Sequence, residues 1–425
     1  MTKISAFKAL VYNEEKIKDL SKVVCPPYDI ISQKKQKSLH DMSPYNLVRL
    51  ELGEDIQVED KYVRAAELFD GWLREKILLQ DDRPGIYFYN QQYYIERERR
   101  SRFGFIALLK LDEDGNSVFG HEHTHLEPKE DRLKLIRQVK ANLSPIFVIF
   151  QDKKRITQQV WNKHIKNKRP FLEVTDDEKT LHQLWRLDDQ DVLASMQAAM
   201  EKENIYIADG HHRYEVACAY KDEARNGLSA ATGEEGFNYV MAYFTCVDSL
   251  GLTILPIHRL VRLSENIDTE ILALKLKDYF SVEEIKDRVD FFFLLKKAGR
   301  SEHVLGMYYK RKHWLLRLRN IKLLDKINAG KPIEYRSLDV SILNGLVLEK
   351  ILSLDPLDKA CVTFSPDTEE LIGKCDSDNS YVSFFLNPTK IEQVVSVALK
   401  GEKMPPKSTY FYPKVLSGLV IHKHE

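Results

Sequence analysis

The densest chemistry in the 425-residue chain lies at 204–215, NIYIADGHHRYE. A short apolar strand runs into Asp209-Gly210. The spacing then predicts a helix from near His211 to about 226, with Asn226-Gly227 as its C-cap. Such a junction suits an anion, because the unpaired N–H groups of a helix N-terminus carry roughly half a positive charge. Gly210 permits a tight turn and close approach of a ligand to the backbone. Arg213, in the first turn, can clamp phosphate oxygens bidentately. His211 and His212 can donate hydrogen bonds to phosphate, and one of them could shuttle a proton. Asp209 is placed either to cap the helix or to hold a Mg²⁺-bound water. The plainer alternative makes Asp209 only an N-cap and the histidines solvated. Adjacent histidines on a helix do not share a face, so the pair is a weak metal site.

Other segments offer complementary groups. In VVCPPYDII (23–31), Pro26-Pro27 enforces extended backbone, and Tyr28 and Asp29 project from a rigid turn. Tyr28 and Asp29 are candidates to meet a substrate, Asp29 by orienting an amine or a metal-bound water; the alternative is a structural turn. Cys25 reads as a small core residue rather than a nucleophile. GHEHTHLEPKEDR (120–132) contains a formal H-E-x-x-H string, whose zinc chemistry requires a helix. Gly120 before it and Pro128 after it predict a strand end and a loop instead. Glu122 is then a general base or metal ligand, and His121, His123 or Thr124 contacts phosphate or substrate. Arg132, with Lys129, enters from the next helix. Asn142 and Ser144 in ANLSPIF cap the preceding helix or face a cleft. His258 and Arg259 in PIHRLV form a second basic clamp, or are a core histidine and a surface arginine. In GEKMPPKSTYFYPKVLSG (401–418), Lys407 or Lys414 would meet phosphate or carboxylate, and Tyr410 or Tyr412 could stack on a ring.

These groups need a scaffold. Residues 4–12, 85–95, 102–111, 144–150 and 204–208 read as strands, with 144–150 apolar throughout and therefore central. Residues 57–79, 126–140 and 189–202 read as helices, the first with Val63, Ala66, Leu68 (or Phe69) and Trp72 on its apolar face. Strands at 238–247 and 251–257 predict a hairpin around Asp248-Ser249. Soft boundaries divide the chain into 1–80, 81–264 and 265–425. Lys+Arg and Asp+Glu both number 64, so neither nucleic acid nor a membrane surface is expected as partner. No uncharged apolar run reaches the ~18–20 residues of a membrane helix. Five scattered cysteines without a C-x-x-C pair, and an opening segment without a secretory apolar stretch, lead to the expectation of a cytoplasmic protein.

Taken together, VVCPPYDII, HEHT (121–124), ANLSPIF, IADGHHRYE and MPPKSTYFYPK (404–414) resemble a widespread bacterial and archaeal family of unassigned function. The D-G-H-H-R element is similar to the phosphate loop of the ParB/sulfiredoxin-like superfamily, which includes CTP-binding partition proteins, sulfiredoxin and free-serine kinases. The resemblance implies a mixed α+β fold, with a ParB/sulfiredoxin-like nucleotide-binding core and additional α+β regions. It also implies a nucleotide (ATP, ADP or CTP) with Mg²⁺ as cofactors and a small-molecule substrate. The reaction it suggests is phosphoryl transfer to a small hydroxyl metabolite, serine by analogy. Glu122 would be the base and His211 a proton shuttle. Asp29 or Asp209 would position metal or substrate, and Asp209, Gly210, His211, His212, Arg213, Arg132 and Lys407 would hold phosphates. The chain has neither a Walker A string nor a kinase-type Gly-rich loop. A nucleotide-binding adaptor without turnover and a metal-dependent hydrolase are the competing expectations.

Overall fold

A computed structural model describes residues 1–56, 59–111, 117–227, 230, 232–263 and 268–424. The chain forms two compact units. The first comprises Met1–Gly120, Thr124–Thr253 and Pro413–Glu425; the second comprises His121–His123 and Ile254–Tyr412. The class is α+β, as expected.

The first unit is built on a nine-stranded mixed sheet. Its strands are β1 (Ile4–Ser5), β2 (Ile86–Ile95), β3 (Glu98–Lys110), β4 (Val118–Gly120), β5 (Ile146–Phe150), β6 (Leu172–Thr175), β7 (Leu181–Leu187), β8 (Ile205–Asp209) and β9 (Tyr239–Cys246). The order is β4-β8-β5-β9-β3-β2-β7-β6, with β1 paired to the far end of β3. The β4·β8 and β5·β9 pairs are parallel and the others antiparallel. The all-apolar β5 lies between β8 and β9, because a strand buried on both faces needs neighbours on both edges. Side chains alternate strictly. Phe105, Ala107, Ile146, Val148, Phe150, Ala242 and Phe244 enter one core, where helix Gln190–Met200 contributes Leu193 and Met196.

The opposite face is unusual in burying a charge. Arg102 is fully buried, its guanidinium 4.5 Å from the Phe147 ring centre and 5.7 Å from that of Tyr243. It donates to Gln91 Oε1 and to the carbonyl of Pro413, and Gln91 donates to the carbonyl of Lys414 at 2.9 Å. Aromatic faces and converging carbonyl oxygens offset the desolvation of the cation. The C-terminal segment is thereby held to the sheet.

Three local expectations change. Residues 4–12 are not one strand: Ile4–Ser5 pairs with β3, whereas Leu10–Tyr12 pairs with Leu78–Gln80, so the partner switches in between. The helix after residue 57 runs over Lys61–Arg74, capped by the Asp60 carboxylate; it buries Ala65, Phe69 and Trp72 while Val63 is exposed. Strand β9 lies between β5 and β3, so no hairpin forms around Asp248-Ser249. Residues 57–58 lie outside the described residues.

The second unit has a six-stranded antiparallel sheet. In chain order its strands are β10 (His258–Arg262), β11 (Phe280–Ile285), β12 (Val304–Tyr309), β13 (Lys312–Leu318), β14 (Val362–Ser365) and β15 (Tyr381–Phe385), arranged β11-β13-β12-β15-β10-β14. Val261, Phe280, Leu305, Leu316 and Phe384 build its core. All five cysteines are free thiols. No described helix is long and apolar enough to cross a membrane.

Candidate functional site

The strand–turn–helix expected at 204–215 forms. Ile205–Ala208 are buried, a register irregularity falls between Ile207 and Asp209, and helix His211–Asn226 starts directly after Gly210. Gly210 adopts φ +87°, and a Cβ placed there would lie 3.0–3.1 Å from the Arg213 guanidinium. Glycine is thus required twice, by the left-handed backbone and by the guanidinium lying over it. Gly210, not Asp209, is the N-cap, and no side chain caps the helix. Asp209 instead accepts from Arg213 Nη2 at 3.0 Å and from the Lys414 ammonium. A carboxylate set between two cations gains more than one that accepts a backbone N–H, which corrects the capping expectation.

The CPPYD segment reaches the same place. The Cys25 backbone bridges to Ser417, Pro26-Pro27 runs extended, and Tyr28–Ile30 makes one 3₁₀ turn. Asp29 keeps a solvent-exposed surface, yet its carboxyl is crowded by protein. That crowding, and then the Asp209 charge, raises its pKa against the pull of Lys414 and Arg213. Arg213 stays fully charged: burial opposes this, but Asp209, Asp29 and Glu51 outweigh it. Tyr28 lies under the Arg132 guanidinium, 4.2 Å from it, and burial pushes its phenol up to about 12. The Cys25 thiol is raised well above its usual range by burial and by Glu51, which suits a core residue and not a nucleophile.

A cavity of about 60 Å³ opens among these residues; its polar lining includes Tyr28, Glu51, Arg132, Asn142 and Arg213, and its apolar lining includes Leu135, Leu143 and Val216. Arg132 is committed within the protein. It donates to the Glu51 carbonyl at 2.6 Å and to Asp131 Oδ2 at 2.9 Å, and Asp131 also accepts from Tyr62 at 2.8 Å. Arg132 holds Asp131 below the usual carboxylate range, although burial works the other way.

The remaining expected residues take other places. His211 is buried in the first turn of its helix. His212 Nε2 accepts the His125 N–H at 3.0 Å, Thr124 donates to Glu215 at 2.6 Å, and Lys129 donates to Glu215 at 3.0 Å. The loop after β4 is thus tied to the D-G-H-H-R helix by Thr124 and His125. Residues 121–125 are not helical, so the H-E-x-x-H string lacks the geometry of a zinc helix. Among the described residues no group of three His, Cys, Asp or Glu could hold a metal. Glu122, His123 and Lys407 belong to the second unit. There Lys407 has φ +57° and its carbonyl accepts from Arg259 at 3.0 Å. Asn142 and Ser144 both line the cavity, and Asn142 Oδ1 accepts the Met241 N–H at 2.9 Å. His258 and Arg259 are core residues. Burial, then Arg259, lowers His258 to about 4, and burial lowers Arg259 to about 9.

Glu51 escaped the sequence reading, although a glutamate between Leu50 and Leu52 in the apolar stretch NLVRLELG was a visible anomaly. Lys414 is one of two lysines in MPPKSTYFYPK (404–414), and spacing alone cannot select it over Lys407. Arg102 carried no signal, because burial of an arginine depends on the tertiary partners of its strand.

Fold and site together define an α+β protein with an ionic cluster at a strand–glycine–helix junction. The chain belongs to the family described as "Protein of unknown function (DUF1015)", whose model matches residues 4–341. No curated protein matches. Among solved structures, SbnI with a C-terminal truncation from Staphylococcus aureus is similar at 12% identity and TM-score 0.37, over 73% of this chain and 85% of that one. A free serine kinase in complex with AMP is similar at 12% identity and TM-score 0.33, over 73% and 91%. A conserved hypothetical protein from Pyrococcus furiosus is similar at 12% and 0.33, over 73% and 92%. Likeness at this level leaves the site to be argued from its own geometry.

Proposed function

We propose that the protein is a nucleotide-dependent phosphotransferase acting on a small hydroxyl-bearing metabolite. One observation carries the reading: Asp29, Asp209, Arg213 and Lys414, from three distant segments, act on one another at the start of the helix after Gly210. Arg213, Lys414 and the N-terminal N–H groups would receive nucleotide phosphates. Asp29 would accept the substrate hydroxyl proton as the oxygen attacks the terminal phosphorus and the bond to the nucleoside diphosphate breaks. A carboxylate with a raised pKa is the better base for that step. Asp29 and Asp209 fit Mg²⁺ carried on nucleotide phosphates, since that ion keeps its waters and takes only one or two protein carboxylates. Bound there, it would neutralise phosphate charge. Serine is the first hydroxyl to test, from the likeness of the D-G-H-H-R string to free-serine kinases. Nucleotide binding without turnover is the second reading, because the same cluster would serve it.

The test is a thermal-shift series with ATP, ADP, CTP and GTP, with and without Mg²⁺, on wild type and Arg213→Ala, followed by a phosphoserine assay. At about 100 Kd of ligand the stabilisation is roughly 2.7 kcal/mol, and it should be lost in the variant. Asp29→Asn should bind nucleotide and fail to turn over. Failure of every nucleotide to shift wild type would sink both readings.

A further inference from the structure

The cavity beside the ionic cluster contains a feature that phosphate binding does not use. Glu51 lines the cavity and is only 3% exposed, and its Oε2 is buried with no hydrogen-bond partner among the described residues. Arg213 lines the same cavity, and its Nε is likewise buried and without an acceptor among the described residues. Arg132, the other guanidinium there, has acceptors for Nε, Nη1 and Nη2. One unmet acceptor and one unmet donor therefore belong to two residues that line the same small space. Buried polar atoms left unmet are costly, so such a pair marks a place for a ligand that meets both.

The chemistry of that ligand follows. A lone anion would satisfy Arg213 Nε and be repelled by Glu51. A lone cation would satisfy Glu51 and leave the guanidinium N–H without an acceptor. A zwitterion meets both and adds no net charge to a buried site. About 60 Å³ is far below the ~300 Å³ at which pockets begin to enclose drug-sized ligands, so a nucleoside does not fit. Leu135, Leu143 and Val216 also line the cavity, whose volume limits the ligand to a few heavy atoms beyond its charged groups.

We propose that this cavity is a binding subsite for a small zwitterion of the amino-acid type, its ammonium donating to Glu51 Oε2 and its anionic group accepting from Arg213 Nε. The subsite deepens the phosphotransferase reading, on which it rests only for the claim that the bound zwitterion is the phosphoryl acceptor.

Matched pairs test it on the full chain by calorimetry, with and without ADP: L-serine against glycerate and L-alanine against lactate, each differing by ammonium for hydroxyl. The expected result is binding of one or both amino acids, at least tenfold tighter than the matched hydroxy acid. Glu51→Gln, which keeps the side-chain size, should remove at least tenfold of that affinity. Absence of amino-acid binding under both conditions overturns the subsite, as does equal binding of the hydroxy acids, and neither outcome depends on the variant folding. ADP binding to wild type separates the two ideas. Amino acid bound without any nucleotide binding sinks the phosphotransferase reading and keeps the subsite; nucleotide bound without any amino acid does the reverse.

Discussion

Lys414 places its ammonium on the carboxylate of Asp209, a residue 205 positions earlier in the chain. Arg213 holds the same carboxylate from one helical turn away. Asp209 is thus the hinge between the helix start and the C-terminal segment. Lys414→Met keeps the length of the side chain and removes the charge, leaving the carboxylate short of one cation. The loss of a charge-assisted hydrogen bond between largely buried partners should cost about 1–3 kcal/mol in urea denaturation. Nucleotide affinity should fall at least tenfold, and an affinity unchanged from wild type would show that Lys414 only braces the fold.

Gly210 offers a sharper test, because two effects act on one atom. Gly210→Ala forces a Cβ into a left-handed backbone, at about 1–2 kcal/mol, and against the Arg213 guanidinium. The guanidinium must then move. The expected outcome is a moderate loss of stability with a disproportionate loss of nucleotide affinity, read by comparing unfolding curves with calorimetric titrations. A variant that loses stability alone would separate the turn from binding.

The strand–glycine–helix junction was readable from the sequence because each cue is local: an apolar run, a glycine, then a helical pattern. The rigid turn at Tyr28-Asp29 was readable for the same reason, Pro26-Pro27 leaving the backbone few choices. Pairing was not readable. Ile4–Tyr12 has one continuous strand pattern yet serves two ladders, and β9 takes β5 and β3 as partners instead of the segment after Asp248-Ser249. The roles of Glu51, Arg102 and Lys414 depend on what the fold places around them, which no spacing rule encodes. His258 and Arg259 fit a clamp and a core-histidine, surface-arginine pair equally well by sequence; both are buried, the arginine included, on a strand with neighbours on both edges.

His258 sets a pH dependence of stability. Its Nδ1 accepts the Leu386 N–H at 3.1 Å, so the folded state needs the neutral ring, and burial, then Arg259, lowers its pKa to about 4. Above the unfolded value of about 6.5 the ring is neutral in both states and stability is full. As pH falls below 6.5 the unfolded chain takes up the proton first, and stability declines until the folded ring also protonates near 4. The whole decline for this group is on the order of 3 kcal/mol. His424, lowered to about 3 by burial and by His422, adds a decline of the same sign in the first unit. His258→Asn offers an oxygen in place of Nδ1 and does not titrate, so its unfolding free energy should fall less between pH 7 and 4.5. An identical decline in wild type and variant would remove His258 as the cause.

Arg102 links the core to the site. It is fully buried, its guanidinium against the Phe147 and Tyr243 rings, and holds the Pro413 carbonyl, while Gln91 holds that of Lys414. Lys414 therefore reaches Asp209 from a backbone that the sheet has already positioned. Arg102→Met keeps much of the apolar volume but leaves the Pro413 carbonyl and Gln91 short of a donor. That loss should cost about 2–4 kcal/mol, the sum of the penalties of the groups left short. Arg102→Lys restores the charge without the planar fork, and should recover only part of the stability because one ammonium cannot stack on the rings and serve both acceptors. The positioning role has its own readout. If Arg102 acts on the site through Lys414, then Arg102→Met and Lys414→Met together should weaken nucleotide binding hardly more than Lys414→Met alone, since the second change removes what the first displaces. Additive losses in that double-mutant cycle would show that the sheet and the site are energetically separate.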